Sequence, residues 1–152
     1  MNLTKLNNLQ KTVLVIAGSD PSGGAGIQAD LKTLTSFGVY GMTAITALTE
    51  QNSNGVFDIL EIPIDFVIKQ INCCLSDINA NAVKIGMLHS ADLISAVLEA
   101  LFNNNIVSNK NVNIILDPVM VAKGGHKLLK ENAIDALKNF IKVAQPILTP
   151  NI

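Results

Sequence analysis

Short, uniformly apolar runs alternate with amphipathic segments along this chain. Uniform runs of this kind are typical of strands that are buried on both faces of a parallel sheet. Between them, apolar residues recur at helical spacing, which predicts helices with one buried face. The predicted strands are residues 13–17, 43–48, 82–85, 112–116 and 146–148, and the predicted helices are residues 25–37, 65–78, 91–102 and 131–143.

Strands and helices alternate in this order. Such an order predicts an α/β fold with an open, mainly parallel sheet flanked by helices and joined by right-handed crossovers. A further short edge strand is predicted at residues 57–62, after the turn-like Asn52-Ser53-Asn54-Gly55. The last strand runs into Thr149-Pro150-Asn151 and the sequence stops one residue later. Residues 1–152 are therefore predicted to form a single, incomplete α/β domain, truncated after about the fifth core strand.

Composition narrows the functional class. The 152 residues are 49% apolar and 15% charged with a net charge of -1, a balance that argues against a disordered chain. No apolar run approaches the roughly 18 residues of a membrane span. All 11 basic residues are Lys and they form no stripe, which argues against nucleic-acid binding. The adjacent Cys73 and Cys74 cannot form an ordinary disulfide with each other, which favours a reducing, cytoplasmic location.

A glycine-rich turn, Gly18-Ser19-Asp20-Pro21-Ser22-Gly23-Gly24-Ala25-Gly26, follows the first predicted strand. Ligands of open α/β sheets bind beyond the carboxyl ends of the strands, so the turn is in a suitable place. It is not a Walker P-loop, because Gly24-Ala25 stand where Lys and Ser or Thr are required. It is also a poor dinucleotide fingerprint, because its GxGxxA match starts too far from the strand and no acidic residue ends the second strand. The alternative is a turn whose glycines simply permit positive φ.

Asp30 falls on the apolar face of the first predicted helix. Ile27, Leu31, Leu34 and Phe37 form that face, and Asp30 lies between Ile27 and Leu34 at helical spacing. Burying an unpaired carboxylate is costly, so we expect Asp30 to meet a backbone donor, a cation or a polar ligand. A structural bond to the glycine-rich turn and a role in a ligand site are equally compatible with the sequence.

Polar residues also follow the later strands. Gln51 lies just past the second strand, and its amide can donate and accept at once, as recognition of a heterocycle with a ring nitrogen beside an amino group requires. Asp117 follows the fourth strand, where carboxylates often hold magnesium but also cap loops. Lys123, in the run Lys123-Gly124-Gly125-His126, suits either a cationic flap over a phosphate or a solvated loop. Met87 is more often a packing residue than a ligand contact.

The run AGSDPSGGAGIQADLKT, from Ala17 to Thr33, resembles the opening signature of hydroxymethylpyrimidine/phosphomethylpyrimidine kinases, thiamine-biosynthesis enzymes of the ribokinase-like superfamily. The resemblance continues in family order through Ile45-Thr46-Ala47-Leu48 with Gln51-Asn52, Lys84-Ile85-Gly86-Met87-Leu88, Leu116-Asp117-Pro118-Val119-Met120 and Leu148-Thr149-Pro150-Asn151. The run from Ala17 to Thr33 is long and specific to this family, whereas the Asp-Pro-Val-Met and Thr-Pro-Asn blocks are shared with pyridoxal kinases.

The resemblance implies a ribokinase-like fold and a reaction that depends on ATP and Mg2+. The phosphoryl group would pass to 4-amino-5-hydroxymethyl-2-methylpyrimidine and then to the resulting monophosphate, with Gln51 reading the aminopyrimidine edge. The implied substrate pocket is lined by Gly18, Asp30, Gln51 and Met87. The implied ATP-phosphate side holds Asp117, Lys123 and Asn151, with Asp117 nearest magnesium.

Part of the family pattern is absent from the sequence. The resemblance implies a Gly-Thr-Gly-Cys or Gly-Thr-Gly-Asp anion hole and a catalytic base in a second half, and the 152 residues contain no such motif. Gly124-Gly125-His126 also stands where relatives often carry a Ser-Gly-Asp-like run. The chain is interpreted as the N-terminal half of such a kinase, without a catalytic residue of its own and inactive alone. A non-catalytic pyrimidine-binding fragment and a pyridoxal kinase-like enzyme are the alternatives. An uncovered sheet edge at Leu148 predicts self-association or a homo-oligomer.

Overall fold

The structure is a computed structural model that describes residues 10–119 and 133–150. Over these ranges, no helix has both the length and the apolar character needed to cross a bilayer. The described strands are β1 (Thr12–Ser19), β2 (Tyr40–Asn52), β3 (Gly55–Glu61), β4 (Ala82–Ile85), β5 (Asn113–Leu116) and β6 (Ile147–Leu148), and the described helices are α1 (Gly26–Ser36), α2 (Ile64–Asp77), α3 (Ala91–Asn103) and α4 (Ile134–Ala144).

The strands form one sheet in the order β3-β2-β1-β4-β5-β6. All neighbouring pairs are parallel except β2 with β3, which is antiparallel. The predicted open, mainly parallel sheet is confirmed, and β3 is the edge strand predicted at residues 57–62. The chain leaves β1 toward β2 on one side and returns to β4 on the other, so the strand order reverses between β1 and β4. Open α/β sheets bind their ligands at such a switch point.

The helices cover the two faces of the sheet unequally. Side chains alternate between the faces along β1, because successive residues of a strand point in opposite directions. Leu14 and Ile16 point into the larger core, to which α2, α3 and α4 also contribute. Val15 and Ala17 point the other way and pack against Ile27 of α1. Helices α2, α3 and α4 therefore lie on one face, and α1 lies on the other.

The prediction that the core strands are buried on both faces holds for β1 but is wrong for β4, β5 and β6. Burial alternates along β4 and β5, where Lys84 and Ile115 are only partly buried on the α1 side, and both residues of β6 are exposed. The reason is that α1 packs mainly over β1 and β2 within the described part of the chain. The uniform apolar runs predicted the positions of the strands correctly, but the second face of the sheet is covered less than they indicated.

Phe37 is the exception to the predicted apolar face of α1. Helix α1 ends at Ser36, and Gly38 follows with a φ of 67° that turns the chain away from the helix axis. Phe37 has therefore left the helical register and is 78% exposed. Leu34 keeps its predicted place against the smaller core.

Candidate functional site

Asp20 organises the turn between β1 and α1. Its side chain is buried, and its Oδ1 accepts hydrogen bonds from the N–H and the hydroxyl of Ser22 at 2.8 and 2.7 Å. Its Oδ2 accepts from the N–H groups of Gly24 and Ala25 at 3.0 and 2.8 Å. Burial by itself would raise the pKa of Asp20, but the hydrogen bonds from Ser22, Ala25 and Gly24 outweigh it and hold the pKa below its usual value. A charged carboxylate thus anchors the turn.

The backbone amides of this turn are used within it. The Asp20 N–H donates to Gln28 Oε1 at 2.8 Å, and the Gly23 N–H donates to the Asp20 carbonyl oxygen at 2.9 Å. With the bonds to the Asp20 carboxylate, every N–H from Asp20 to Ala25 has a partner inside the turn or on Gln28. A P-loop instead directs its amides at phosphate. The arrangement therefore gives a second reason to reject a phosphate cradle at this turn.

Two glycines allow the turn to approach the rest of the site closely. Gly26 begins α1 with a φ of 57°, and a Cβ at this position would lie 2.5 Å from the Gly18 carbonyl oxygen. A Cβ at Gly18 would lie 2.6 Å from Met87 Cε. The expectation that glycines of the turn permit positive φ is correct for Gly23 and Gly26, whose φ angles are 77° and 57°. Gly18 has a different role, because its missing side chain makes room for Met87.

Gly18 and Met87 meet at the junction of β1 and β4, where the strand order reverses. Met87 is 8% exposed, and its carbonyl oxygen accepts a hydrogen bond of 2.9 Å from the hydroxyl of Thr46, which is fully buried on β2. Thr46 therefore fixes the backbone at Met87. The available signal for this role was a hydroxyl within a largely apolar strand.

Gln51 reaches the same edge of the sheet at the end of β2, where the pairing with β3 shifts register. The Thr49 hydroxyl lies 3.2 Å from Gln51 Oε1 and donates to the Ser19 carbonyl oxygen at 2.7 Å. Thr49 thus connects Gln51 to the end of β1. Its contribution depends on a cross-strand contact that no local sequence pattern indicates.

Asp30 forms an ion pair with Lys84 of β4. The distance from Lys84 Nζ to Asp30 Oδ2 is 2.8 Å, and both side chains are mostly buried. The sequence left open a backbone donor, a cation or a polar ligand as the partner of Asp30, and the structure shows a cation. The structural bond to the glycine-rich turn is wrong, because Asp20 rather than Asp30 supplies the carboxylate there. A Lys inside the short apolar run of β4 was the available signal for this pair.

Asp117 follows β5 at the same edge, next to the end of β4. Its N–H donates to the Ile85 carbonyl oxygen at 2.9 Å, and Asp117 lines a small, open cleft at this edge. No group of three or more His, Cys, Asp or Glu residues in the described ranges is placed to hold a metal ion. Lys123 and Asn151 lie outside the described residues. The cleft is lined by Gly86, Leu88, Leu116, Asp117, Pro118, Val119 and Leu137.

Solved kinases share this architecture. The phosphomethylpyrimidine kinase from Clostridium difficile aligns with a TM-score of 0.83 and 44% identity, over 94% of this chain and 60% of that chain. The pyridoxal kinase from Staphylococcus aureus, solved in complex with AMP-PCP and pyridoxal, aligns with a TM-score of 0.75 and 34% identity, over 93% of this chain and 48% of that chain. The fold is therefore that of the ribokinase-like small-molecule kinases, as the sequence predicted.

Sequence comparison identifies the family within this class. The family model described as phosphomethylpyrimidine kinase matches residues 20–152. The hydroxymethylpyrimidine/phosphomethylpyrimidine kinase of Haemophilus influenzae is 46% identical over 142 residues, which are 93% of this chain and 51% of that protein. The chain belongs to the phosphomethylpyrimidine kinase family. It spans about half the length of the curated relatives it matches.

Proposed function

We propose that this chain forms the pyrimidine-binding side of an ATP-dependent kinase of thiamine diphosphate biosynthesis. The substrates would be 4-amino-5-hydroxymethyl-2-methylpyrimidine and its monophosphate. The observation that carries the proposal is the 46% identity, across 93% of this chain, to a relative that bears the name of this activity. The meeting of Gly18 and Met87 at the switch point of the sheet supports it, because open α/β sheets bind ligands there.

In this proposal the pyrimidine lies against the β1–β4 junction. Gly18 and Met87 would form its apolar floor, and Asp30 would accept a hydrogen bond from a donor on the ring substituents. Gln51 would read the aminopyrimidine edge, because its amide can accept from the amino group while it donates to the adjacent ring nitrogen. These contacts bind and orient the hydroxymethyl group for attack, which is the main work that phosphoryl transfer asks of a protein.

The ATP phosphates would lie on the Asp117 side, with Lys123 and Asn151 as further contacts. A single carboxylate at an open cleft fits Mg2+, which is usually bound by one or two carboxylates together with substrate phosphates rather than by a protein cage. When bound there, Mg2+ would neutralise charge on the phosphates. The solved relative from Staphylococcus aureus carries AMP-PCP, an ATP analogue, which supports a nucleotide as the second substrate.

Pyridoxal phosphorylation is the second candidate, because a pyridoxal kinase shares the fold with a TM-score of 0.75. Its identity of 34% is lower than the 44% of the phosphomethylpyrimidine kinase structure, which favours the aminopyrimidine. Titration calorimetry of the protein with the aminopyrimidine and with pyridoxal decides between them. Tighter binding of pyridoxal would reverse the assignment, and ATP turnover in the same samples separates an enzyme from a non-catalytic binding module.

Gln51→Ala tests the proposed reading of the pyrimidine edge. Loss of a buried recognition amide is expected to weaken aminopyrimidine binding by about 1 to 3 kcal/mol. Gln10→Ala is the matched control, because the Gln10 amide donates to the Gly38 carbonyl oxygen at an exposed site before β1. An affinity that is equal in the two variants would remove Gln51 from the site.

A cytoplasmic location and self-association are also proposed. Cys73 and Cys74 are both free thiols, as is usual in a reducing compartment. Ile147 and Leu148 of the edge strand β6 are 56% and 43% exposed, which leaves an apolar edge that a second copy could cover. Analytical ultracentrifugation across a concentration series tests this, since a monomer at every concentration would contradict it.

A further inference from the structure

The Asp30–Lys84 ion pair bridges α1 and β4 across the central strand. Lys84 comes from the strand that pairs with β1, whereas Asp30 comes from the helix that packs over β1. The Asp30 side chain is 23% exposed and that of Lys84 is 26% exposed, and the charged atoms are 2.8 Å apart. The pair therefore lies beside the same β1–β4 junction at which Gly18 meets Met87.

Gly86 makes room for the Lys84 ammonium at this junction. Residues two apart on a strand share a face, so Gly86 lies directly beyond Lys84 toward the carboxyl end of β4. A Cβ at Gly86 would lie 3.1 Å from Lys84 Nζ and 3.0 Å from Ala17 Cβ. The lysine stem thus runs along the strand and delivers its charge to the ligand edge of the sheet.

The pair leaves one carboxylate oxygen of Asp30 available. Lys84 occupies Oδ2, whereas Oδ1 accepts no hydrogen bond from any residue in the described ranges. A carboxylate that is held through one oxygen has little freedom to rotate, so the direction of its other oxygen is set. Such an oxygen accepts from a neutral donor such as a hydroxyl or an amino group.

We propose that Lys84 is a positioning residue, which holds the Asp30 carboxylate so that its second oxygen accepts a hydrogen bond from the hydroxymethyl or amino group of the bound pyrimidine. The inference rests on the proposed function, because it needs a pyrimidine at the β1–β4 junction. A purely structural pair would join α1 to β4, and its loss would lower stability without changing the affinity for the pyrimidine.

A double-mutant cycle on ligand affinity separates these roles. Calorimetry is carried out with 4-amino-5-hydroxymethyl-2-methylpyrimidine on the unsubstituted protein, Lys84→Met, Asp30→Asn and the double variant. Each single variant is expected to bind about tenfold more weakly, and the double variant no more weakly than Asp30→Asn. Lys84→Arg should recover most of the affinity. Lys69→Met is the matched control, because it breaks an exposed ion pair with Asp65, whose charged atoms are 2.9 Å apart, and should leave binding unchanged.

Each outcome decides the question. If Lys84→Met binds normally, or if its effect multiplies with that of Asp30→Asn, the positioning role is overturned while the proposed function stands. If the unsubstituted protein does not bind the pyrimidine, the proposed function and this inference both fail. If Lys84→Met does not fold, Lys84→Gln replaces it in the cycle, because the shorter, neutral amide keeps a polar end on the side chain but removes the charge that pairs with Asp30. Unchanged affinity in Lys84→Gln would then overturn the inference.

Discussion

Replacing Asp20 with Asn tests whether one carboxylate holds the glycine-rich turn together. The side chain keeps its shape, but one of its two acceptor atoms becomes an NH2 donor. Directed at Gly24 and Ala25, this NH2 would face two backbone N–H groups. Directed at Ser22, it would face one N–H, because the Ser22 hydroxyl can rotate and accept instead. The second orientation is therefore expected, with the loss of one of the four bonds and of the negative charge behind the other three.

The size of the effect follows from these contacts. Hydrogen bonds to a charged group contribute about 1.5 to 3 kcal/mol each, and neutral ones about 0.5 to 1.5 kcal/mol. One charged bond is lost and the other three become neutral, while water recovers part of the loss at the exposed Ser22, Gly24 and Ala25. The free energy of unfolding should fall by about 2 to 4 kcal/mol.

Urea unfolding followed by far-ultraviolet circular dichroism suits this chain, which has no Trp and one Tyr. Asp58→Asn is the matched control, because Asp58 is exposed and its carboxylate accepts one backbone hydrogen bond, from Ile59 at 2.8 Å. The control should lose about 0.5 kcal/mol or less, as surface substitutions usually do. Equal losses in the two variants would refute the role assigned to Asp20.

The pH dependence of the same difference is a second check on Asp20. Its pKa in the folded state lies below the value of 3.8 that it has when unperturbed. A depressed pKa means that the stabilising contribution is complete well above that value and is lost as the pH falls through the folded-state pKa. The stability difference between the native protein and Asp20→Asn should therefore be constant from about pH 5 to pH 7 and shrink below about pH 4. A difference that grows with acidity would contradict the reasoning.

Two further predictions concern the turn and the cysteines. Gly26→Ala should lower the melting temperature far more than Gly38→Ala, because both positions have positive φ but a Cβ at Gly26 would lie 2.5 Å from the Gly18 oxygen, whereas one at Gly38 would meet nothing within 4 Å. Comparable losses would show that the close approach to Gly18 is unimportant. Iodoacetamide near neutral pH should alkylate Cys73 before Cys74, because burial, together with the neighbouring Cys73, raises the pKa of the Cys74 thiol. Peptide mapping by mass spectrometry measures the order, and faster labelling of Cys74 would contradict the expectation.

The sequence predicted the elements best where burial alone determines them. The limits of β4 match the predicted 82–85, because an apolar run there is bounded by polar Asn81 and by Gly86. Strand β2 is longer at both ends than the predicted 43–48, because Tyr40 to Met42 pair with β1 and the strand continues beyond Leu48 as an antiparallel hairpin with β3. The polar residues of that hairpin carry no buried-strand pattern, so periodicity does not reveal them.

The candidate site was predictable in its parts but not in its contacts. The need of Asp30 for a partner followed from helical spacing, but its partner Lys84 is 54 residues away and is brought to it only by the β1–β4 pairing. Asp20 was hidden within the glycine-rich run, where Ser22 two residues later was the local signal of a side-chain turn. Contacts of this kind depend on tertiary placement, which spacing along one element does not encode.

The central position of β1 has a consequence for how the protein is made. It is the first of the six strands to be synthesised, yet its hydrogen-bonding edges need both β2 and β4, and its two apolar faces need helices from either side of the sheet. The β4 edge stays open until roughly 65 further residues have been added, which takes about 3 to 13 seconds at typical rates of translation. During that interval Val13 to Ala17 is an exposed apolar segment on the nascent chain. Binding by chaperones that recognise such segments should therefore concentrate on β1 and end once β4 has emerged from the ribosome.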